Sequence, residues 1–303
     1  MAHHPEESLP GPKVKAAPLP PILFILAAAL IWSTGGLFIK WSTFNAFELS
    51  FGRALLAALT VAVFTRREGF GFNRMTAITC VLYAGLLLCF VVATKLTTAA
   101  NAIFLQYTSP VYLLLLEPLV YKEKFRLVDL ITVIVCLAGM SLFFVGQLDT
   151  RSLTGNLVAL ASGLFMALYF LLLRHPRSQK VNRASSVIYG NLLLVLLTAP
   201  FIFNHPPHVS VLNLGIVLYL GVVQLGLGYT LFTLGIARGV RSLDAGIIGY
   251  IEPVLNPVWV FLFLGEQPSH WALLGGGIII FAVISHTLWT TQAKGKQKRA
   301  GPK

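Results

Sequence analysis

Charge is what this chain most lacks. Only 11% of its 303 residues are Asp, Glu, Lys or Arg, while 56% are hydrophobic. A soluble domain is about a quarter charged, so a water-soluble fold is excluded and an integral membrane protein is implied. Cysteine is scarce as well: Cys80, Cys89 and Cys136 lie inside apolar runs without metal-ligand spacing, which leaves packing as their role. Enzyme signatures are missing. There is no phosphate-binding GxxxxGKS or GxxxxGKT and no HExxH, and the seven histidines are scattered over tails, loops and a span end. No cofactor and no metal are expected. An intramembrane aspartyl enzyme needs paired carboxylates at one depth, and Glu252 is alone at mid-span.

Long apolar runs are what the chain has instead. Charge-free stretches cover 16–39, 75–94, 96–116, 130–148, 152–173, 184–237 and 267–293, several near the ~20 residues a membrane helix needs. They are continuously apolar rather than alternating, which excludes a β-barrel. Asn204-His205-Pro206-Pro207-His208 divides the longest run, and 46–65 and 243–264 are spans with an internal charge. The reading is all-α and multi-pass. Ten spans are expected at 21–40, 46–65, 74–95, 97–121, 127–146, 155–174, 184–203, 211–238, 243–264 and 270–290. Residues 1–20 are expected to be a disordered tail, and 291–303 a basic tail. With both termini in the cytoplasm, nineteen of the 23 basic residues fall on that side. Lys40, Lys95 and Arg151 fall outside, and Arg53 lies within a span. This positive-inside bias explains the net charge of +12 without nucleic acid as a partner.

The chain also repeats itself. Residues 243–266 match 100–123 at a constant offset of 143, pairing Ala102 with Ala245, Tyr107 with Tyr250, Pro110 with Pro253, Val111 with Val254 and Glu123 with Glu266. Weaker matches flank it: Phe51-Gly52-Arg53 faces Tyr189-Gly190-Asn191, and Leu82-Tyr83 faces Leu218-Tyr219. Two five-helix repeats, 21–148 and 149–290, follow. An odd number of spans forces them into opposite orientations, and an inverted repeat in a membrane points first to transport.

This pattern resembles the EamA family of the drug/metabolite transporter superfamily, whose repeats each end in proline, a dozen mostly apolar residues, glycine-glutamate and a last helix. The second copy fits, with Pro253 and Gly265-Glu266 before Trp271-Ala272-Leu273-Leu274-Gly275; the first has Pro110 and Glu123, but Lys122 replaces the glycine. Trp32 and Arg53 also look like family positions. The resemblance implies a multi-pass permease of the plasma (inner) membrane that exports a small organic solute such as an amino acid, driven by a proton or ion gradient, with lipid around it and a homodimer allowed.

Helix positions three or four apart share a face. Ala102, Gln106, Ser109, Leu113 and Glu117 form one stripe, and Ala245, Gly249, Glu252, Asn256 and Val260 form its mate. The two stripes are expected to face each other. Glu252, Asn256, Gln106, Ser109, Trp32, Tyr83, Gln224 and Arg53 are the candidate substrate or coupling residues, because midplane polar groups of an inverted repeat are where such a site belongs. Pro110, Pro253 and Pro257 are candidate hinges, and Glu123 and Glu266 read as gate or helix-end residues. Bland alternatives stand beside these. Glu252 as a structural carboxylate, Gln106, Gln224 and Asn256 as interhelical bonds, and Tyr83, Tyr229 and Tyr250 as packing all remain open. Arg53 either joins the site, snorkels, or pairs with Glu48. Glu117 is expected to reach the interface, and Asp244 to cap a helix N-terminus. Besides a transporter, a membrane lipid- or glycan-processing enzyme or flippase, and a membrane sensor, are the competing classes.

Overall fold

The computed structural model describes residues 19–97, 99–143, 145, 152–204, 210–265, 267 and 269–299. The expected tail 1–20 falls almost wholly outside them, as does Glu266. All regular structure among them is helical: α1 (Ile22–Ser33), α2 (Gly35–Trp41), α3 (Ala46–Thr65), α4 (Arg74–Leu96), α5 (Ala99–Gln106), α6 (Ser109–Tyr121) and α7 (Leu127–Phe143). Then come α8 (Leu153–Leu173), α9 (Ser185–Asn204), α10 (Val211–Leu218), a π-helical segment (Tyr219–Leu227), α11 (Gly228–Ala237), α12 (Ser242–Gly249), α13 (Ile251–Leu264) and α14 (His270–Arg299). By length and composition, eight helical stretches suit a membrane crossing, and Leu127–Leu142 is a shorter apolar helix. Many leucines and phenylalanines, among them Leu119, Leu196 and Phe281, point outward, as lipid-facing side chains must when the backbone satisfies itself within each helix.

The expected fourth and ninth spans are each broken. α5 ends at Gln106 and α12 at Gly249, and both positions lie four residues before a proline, Pro110 and Pro253. A proline has no N–H for the carbonyl four residues back and crowds it, so the helix stops there. A second helix then begins, with the proline in its first turn, where a missing N–H costs nothing. The prolines therefore start half-helices instead of kinking continuous ones, and the aligned Tyr107 and Tyr250 lie at the breaks. Side chains of Asn256 and Pro257 lie outside the described residues.

Other departures have local causes. The first span breaks at Thr34, whose hydroxyl bonds back to the Ile31 carbonyl at 2.7 Å and to the Tyr219 hydroxyl at 2.9 Å. The residues expected to form a basic tail after 290 continue α14 to Arg299; basic residues suit a helix C-terminus. At the end of α6, Lys122 has φ 53°, matched in the second half by Gly265 at φ 72°. The backbone turns through the left-handed region at both positions, which glycine enters freely and lysine does not.

Packing runs between the halves. α3 lies on α9 and the π-helical segment, α4 on α8 and α9, and α1 on α11, α12 and α13. α5 and α6 pack on α8, α6 on α12, and α7 on α14. One aromatic-rich core results, containing Trp32, Tyr83, Tyr107, Tyr169, Tyr229, Phe232 and Tyr250.

Candidate functional site

The breaks after Gln106 and Gly249 meet in the middle of the molecule. Tyr107 and Tyr250 have ring centroids 5.8 Å apart, and the Tyr107 hydroxyl donates to Glu252 Oε2 at 2.6 Å. Glu252 sits in the first turn of α13, where unpaired N–H groups and the helix dipole favour a carboxylate. Beside it lies an aromatic wall. The Tyr229 ring centroid lies 4.6 Å from that of Trp32 in a tilted contact and 4.9 Å from that of Tyr83 edge-on, and Tyr83 is 5.3 Å from Tyr169. The Asn191 amide donates to the Tyr83 hydroxyl at 3.1 Å. The indole N–H of Trp32 presses on Gly228, where a side-chain Cβ would sit 2.4 Å away; only glycine leaves room.

Arg53 belongs to this layer. Its side chain is 6% exposed, so it does not snorkel, and its charge interacts with the Tyr83 and Tyr229 phenols. Glu48 is not its partner: that carboxylate accepts from the Asn45 N–H at 2.8 Å and completes a capping box at the start of α3. Gln224 lies in the π-helical segment, its amide against Gly35. Such segments recur at functional sites, and periodicity alone gives no sign of one.

Two expected members lie elsewhere or stand apart. Gln106 donates to Ser162 Oγ at 2.8 Å and so faces α8. Ser109 is fully buried, and its hydroxyl has no hydrogen-bond partner among the described residues. Gln106 is thus engaged by α8, and the second stripe's Asn256 and Val260 side chains lie outside the described residues. Tyr107, counted in the sequence only as a repeat marker, holds Glu252 directly.

A second cluster closes the end of the bundle that carries the basic loops. Arg241 Nη2 bonds Glu117 Oε2, its Nε bonds Glu123 Oε2 and its Nη1 bonds Asp129 Oδ2, each at 3.1 Å. Asp244 lies 3.5 Å from the same Nη1. Arg174 pairs with Glu117 at 2.9 Å and also with Glu123, and His286 Nε2 meets Asp129 at 2.9 Å. Glu117 thus does not reach the interface. It is completely buried between two arginines and the Ser242 N–H, because α8 and α12 cover the end of α6. Asp244 stands in the first turn of α12 as expected, with Arg241 as an added partner.

Burial works against the charges of Glu123 and Arg241, and their partners outweigh it. Burial alone would raise the Glu123 carboxyl, but hydrogen bonds and charge from Arg174 and Arg241 hold it below the usual carboxylate range. Burial would lower Arg241, yet Asp244, Glu117 and Asp129 raise it above its ordinary value. Asp129, Asp244 and His286 are close enough to share a metal ion, but the Arg241 guanidinium already bridges the two aspartates.

Comparison with known proteins agrees with this architecture. The model of the EamA-like transporter family matches twice, over residues 19–145 and 153–287. The uncharacterized transporter YwfM of Bacillus subtilis is 28% identical over 89% of this chain and 96% of its own length. The pseudopaline exporter CntI of Pseudomonas aeruginosa is 26% identical over 87% and 94%. The biotin transporter of Escherichia coli is 24% identical over 63% and 66%. A crystal structure sharing 19% identity superposes with a TM-score of 0.79 over 90% of this chain and 98% of its own, a likeness of fold.

Proposed function

The chain belongs to the EamA-like transporter family, and from that premise we propose that it is a secondary-active exporter of a small organic solute, such as an amino acid or related metabolite, working by alternating access. Family and relatives make it a membrane transporter and not an enzyme. In the proposed arrangement ten helices form two inverted five-helix repeats in the plasma (inner) membrane, with both termini cytoplasmic.

One observation carries the reading: at the point where both half-helix pairs break, Tyr107 from the first half holds Glu252 from the second. Unwound backbone with a carboxylate beside it is where a transporter binds and couples. The packing supports the duplication, since each contact between halves has a counterpart when the halves are exchanged. α4 on α8 answers α1 on α11, and α3 on the π-helical segment answers α4 on α9. Glu252 would carry the coupling proton or bind a solute ammonium. The Arg241–Arg174 cluster, with Glu123 in it, would be the cytoplasmic gate, and the conformation described here has that gate closed.

Distance reporters across each end test this. Labels at Lys124 and Lys180 span the gate, and labels at Thr43 and Gln267 span the opposite end; all four positions are exposed. One distance is expected to lengthen as the other shortens when substrate and gradient are applied. Both staying constant would sink the proposal.

A further inference from the structure

Arginine stays protonated in proteins, so a buried guanidinium needs an anion, and leaving one unpaired is strongly unfavourable. Among the described residues Arg53 has none. Seven carboxylates are among the described residues, and each is engaged elsewhere. Glu48 caps α3, Glu68 pairs with Arg183, and Glu252 accepts from Tyr107. Glu117, Glu123, Asp129 and Asp244 all bond Arg241 at the basic end. No hydrogen bond or ion pair to Arg53 exists among the described residues, and its Nε is buried with no acceptor.

The surroundings repeat the same deficit. Trp32 Nε1 lacks an acceptor and Gln224 Oε1 lacks a donor. Tyr229, in tilted contact with Trp32, feels the charges of both Arg53 and Glu252. The same phenol thus stands in the field of a positive group with no partner among the described residues and of a negative group held by a single hydroxyl. Arg183, Arg174 and Arg241, by contrast, all have carboxylate partners.

We propose that Arg53 is the anion subsite of the transport site and that the carried solute presents a carboxylate to it, with Trp32 Nε1 as an accessory donor. This rests on the transporter reading above and deepens it: the solute class becomes carboxylates, and a zwitterion places its ammonium toward Glu252. A guanidinium suits that role because its planar fork matches a carboxylate in two parallel hydrogen bonds.

The test uses the full-length purified protein in phosphatidylcholine nanodiscs, which carry no anionic headgroup. Melting temperature is followed in sodium acetate, in sodium chloride at the same ionic strength, and in acetamide. Acetate is expected to raise the wild-type Tm by about 2 °C or more over chloride and acetamide. Arg53→Lys is expected to keep part of that shift and Arg53→Met none. In chloride, Arg53→Met is expected to melt at or above wild type, because it removes a charge that lacks a partner among the described residues. An acetate shift equal to that in chloride would assign the subsite to an inorganic counter-ion and overturn the proposal. An equal acetate shift in Arg53→Met, or a lower melting point of that variant in chloride, would return Arg53 to a structural role. Failure here with reciprocal distance changes intact removes the subsite alone; static distances with a normal acetate response remove the alternating-access reading alone.

Discussion

The Tyr107 hydroxyl and Glu252 Oε2 are 2.6 Å apart although the residues are 145 positions apart in the chain. Under the repeat offset of 143, Tyr107 corresponds to Tyr250 and Glu252 to Ser109, so the mirror contact would join Tyr250 to Ser109. Both of those hydroxyls are buried without a hydrogen-bond partner among the described residues. The backbone breaks recur in both halves, but the charge does not. Among the described residues Glu252 is the one carboxylate beside these breaks, and the coupling role proposed for it rests on that.

Glu252→Gln keeps the size of the side chain and an acceptor for Tyr107 while removing charge and titration. The variant is expected to insert and fold as wild type and to lose gradient-driven transport by about 10²-fold, the scale of losing a positioned proton-transfer group. Solute-for-solute exchange survives if Glu252 carries the proton and fails if it binds a solute cation. Uphill transport at the wild-type rate and pH dependence would make Glu252 structural.

Removing Arg241 leaves Glu117, Asp129 and Asp244 short of their shared cation. Arg241→Ala is expected to destabilise the protein by about 3–5 kcal/mol, as loss of one partner from a buried ion network does, and Arg241→Lys by less. Thermal melts in detergent read the difference. A melt of Arg241→Ala within experimental error of wild type would show that the ion cluster contributes no net stability.

Glu123 predicts a direction with pH. Its carboxyl titrates lower in the folded protein than in the unfolded chain, so its contribution is complete above the ordinary carboxylate value of about 4.3. That contribution is lost as pH falls from there through the lowered folded value. The Tm advantage of wild type over Glu123→Gln is thus expected at neutral pH and should shrink as pH drops below about 4. An advantage that holds constant or grows with acid would contradict this.

Lys122→Gly replaces the one non-glycine residue with positive φ among the described residues by the residue found at its counterpart, Gly265. Relief of left-handed strain of about 1–2 kcal/mol, less the unfolded-state entropy of glycine, predicts a net gain near 1 kcal/mol. An unchanged or lower Tm would mean the lysine side chain compensates locally.

Topology can be read with an impermeant thiol reagent in intact cells. A cysteine at Lys180 is expected to be protected and one at Val211 to be labelled, both positions being exposed. Position 178 would be silent from either side, since Ser178 is buried. Labelling at 180 from outside would reverse the orientation.

Composition and order along the chain were enough to determine an all-helical membrane protein, the bounds of most spans, the internal match around Pro110 and Pro253, and the resemblance to the EamA family. These depend on apolar run length, on proline and on the distribution of basic residues, which are local or additive properties. Partnership is not local. That Gln106 turns to Ser162, that Tyr107 holds Glu252, that Glu48 is spent on a cap and leaves Arg53 without a carboxylate, and that Glu117 is sealed between Arg174 and Arg241 all depend on how helices distant in sequence pack and on two backbone breaks. Hydropathy cannot tell a charge at a helix end that meets water from one roofed over by another helix. Only the tertiary structure decided which charges were paired and that Arg53 is left without a carboxylate among the described residues.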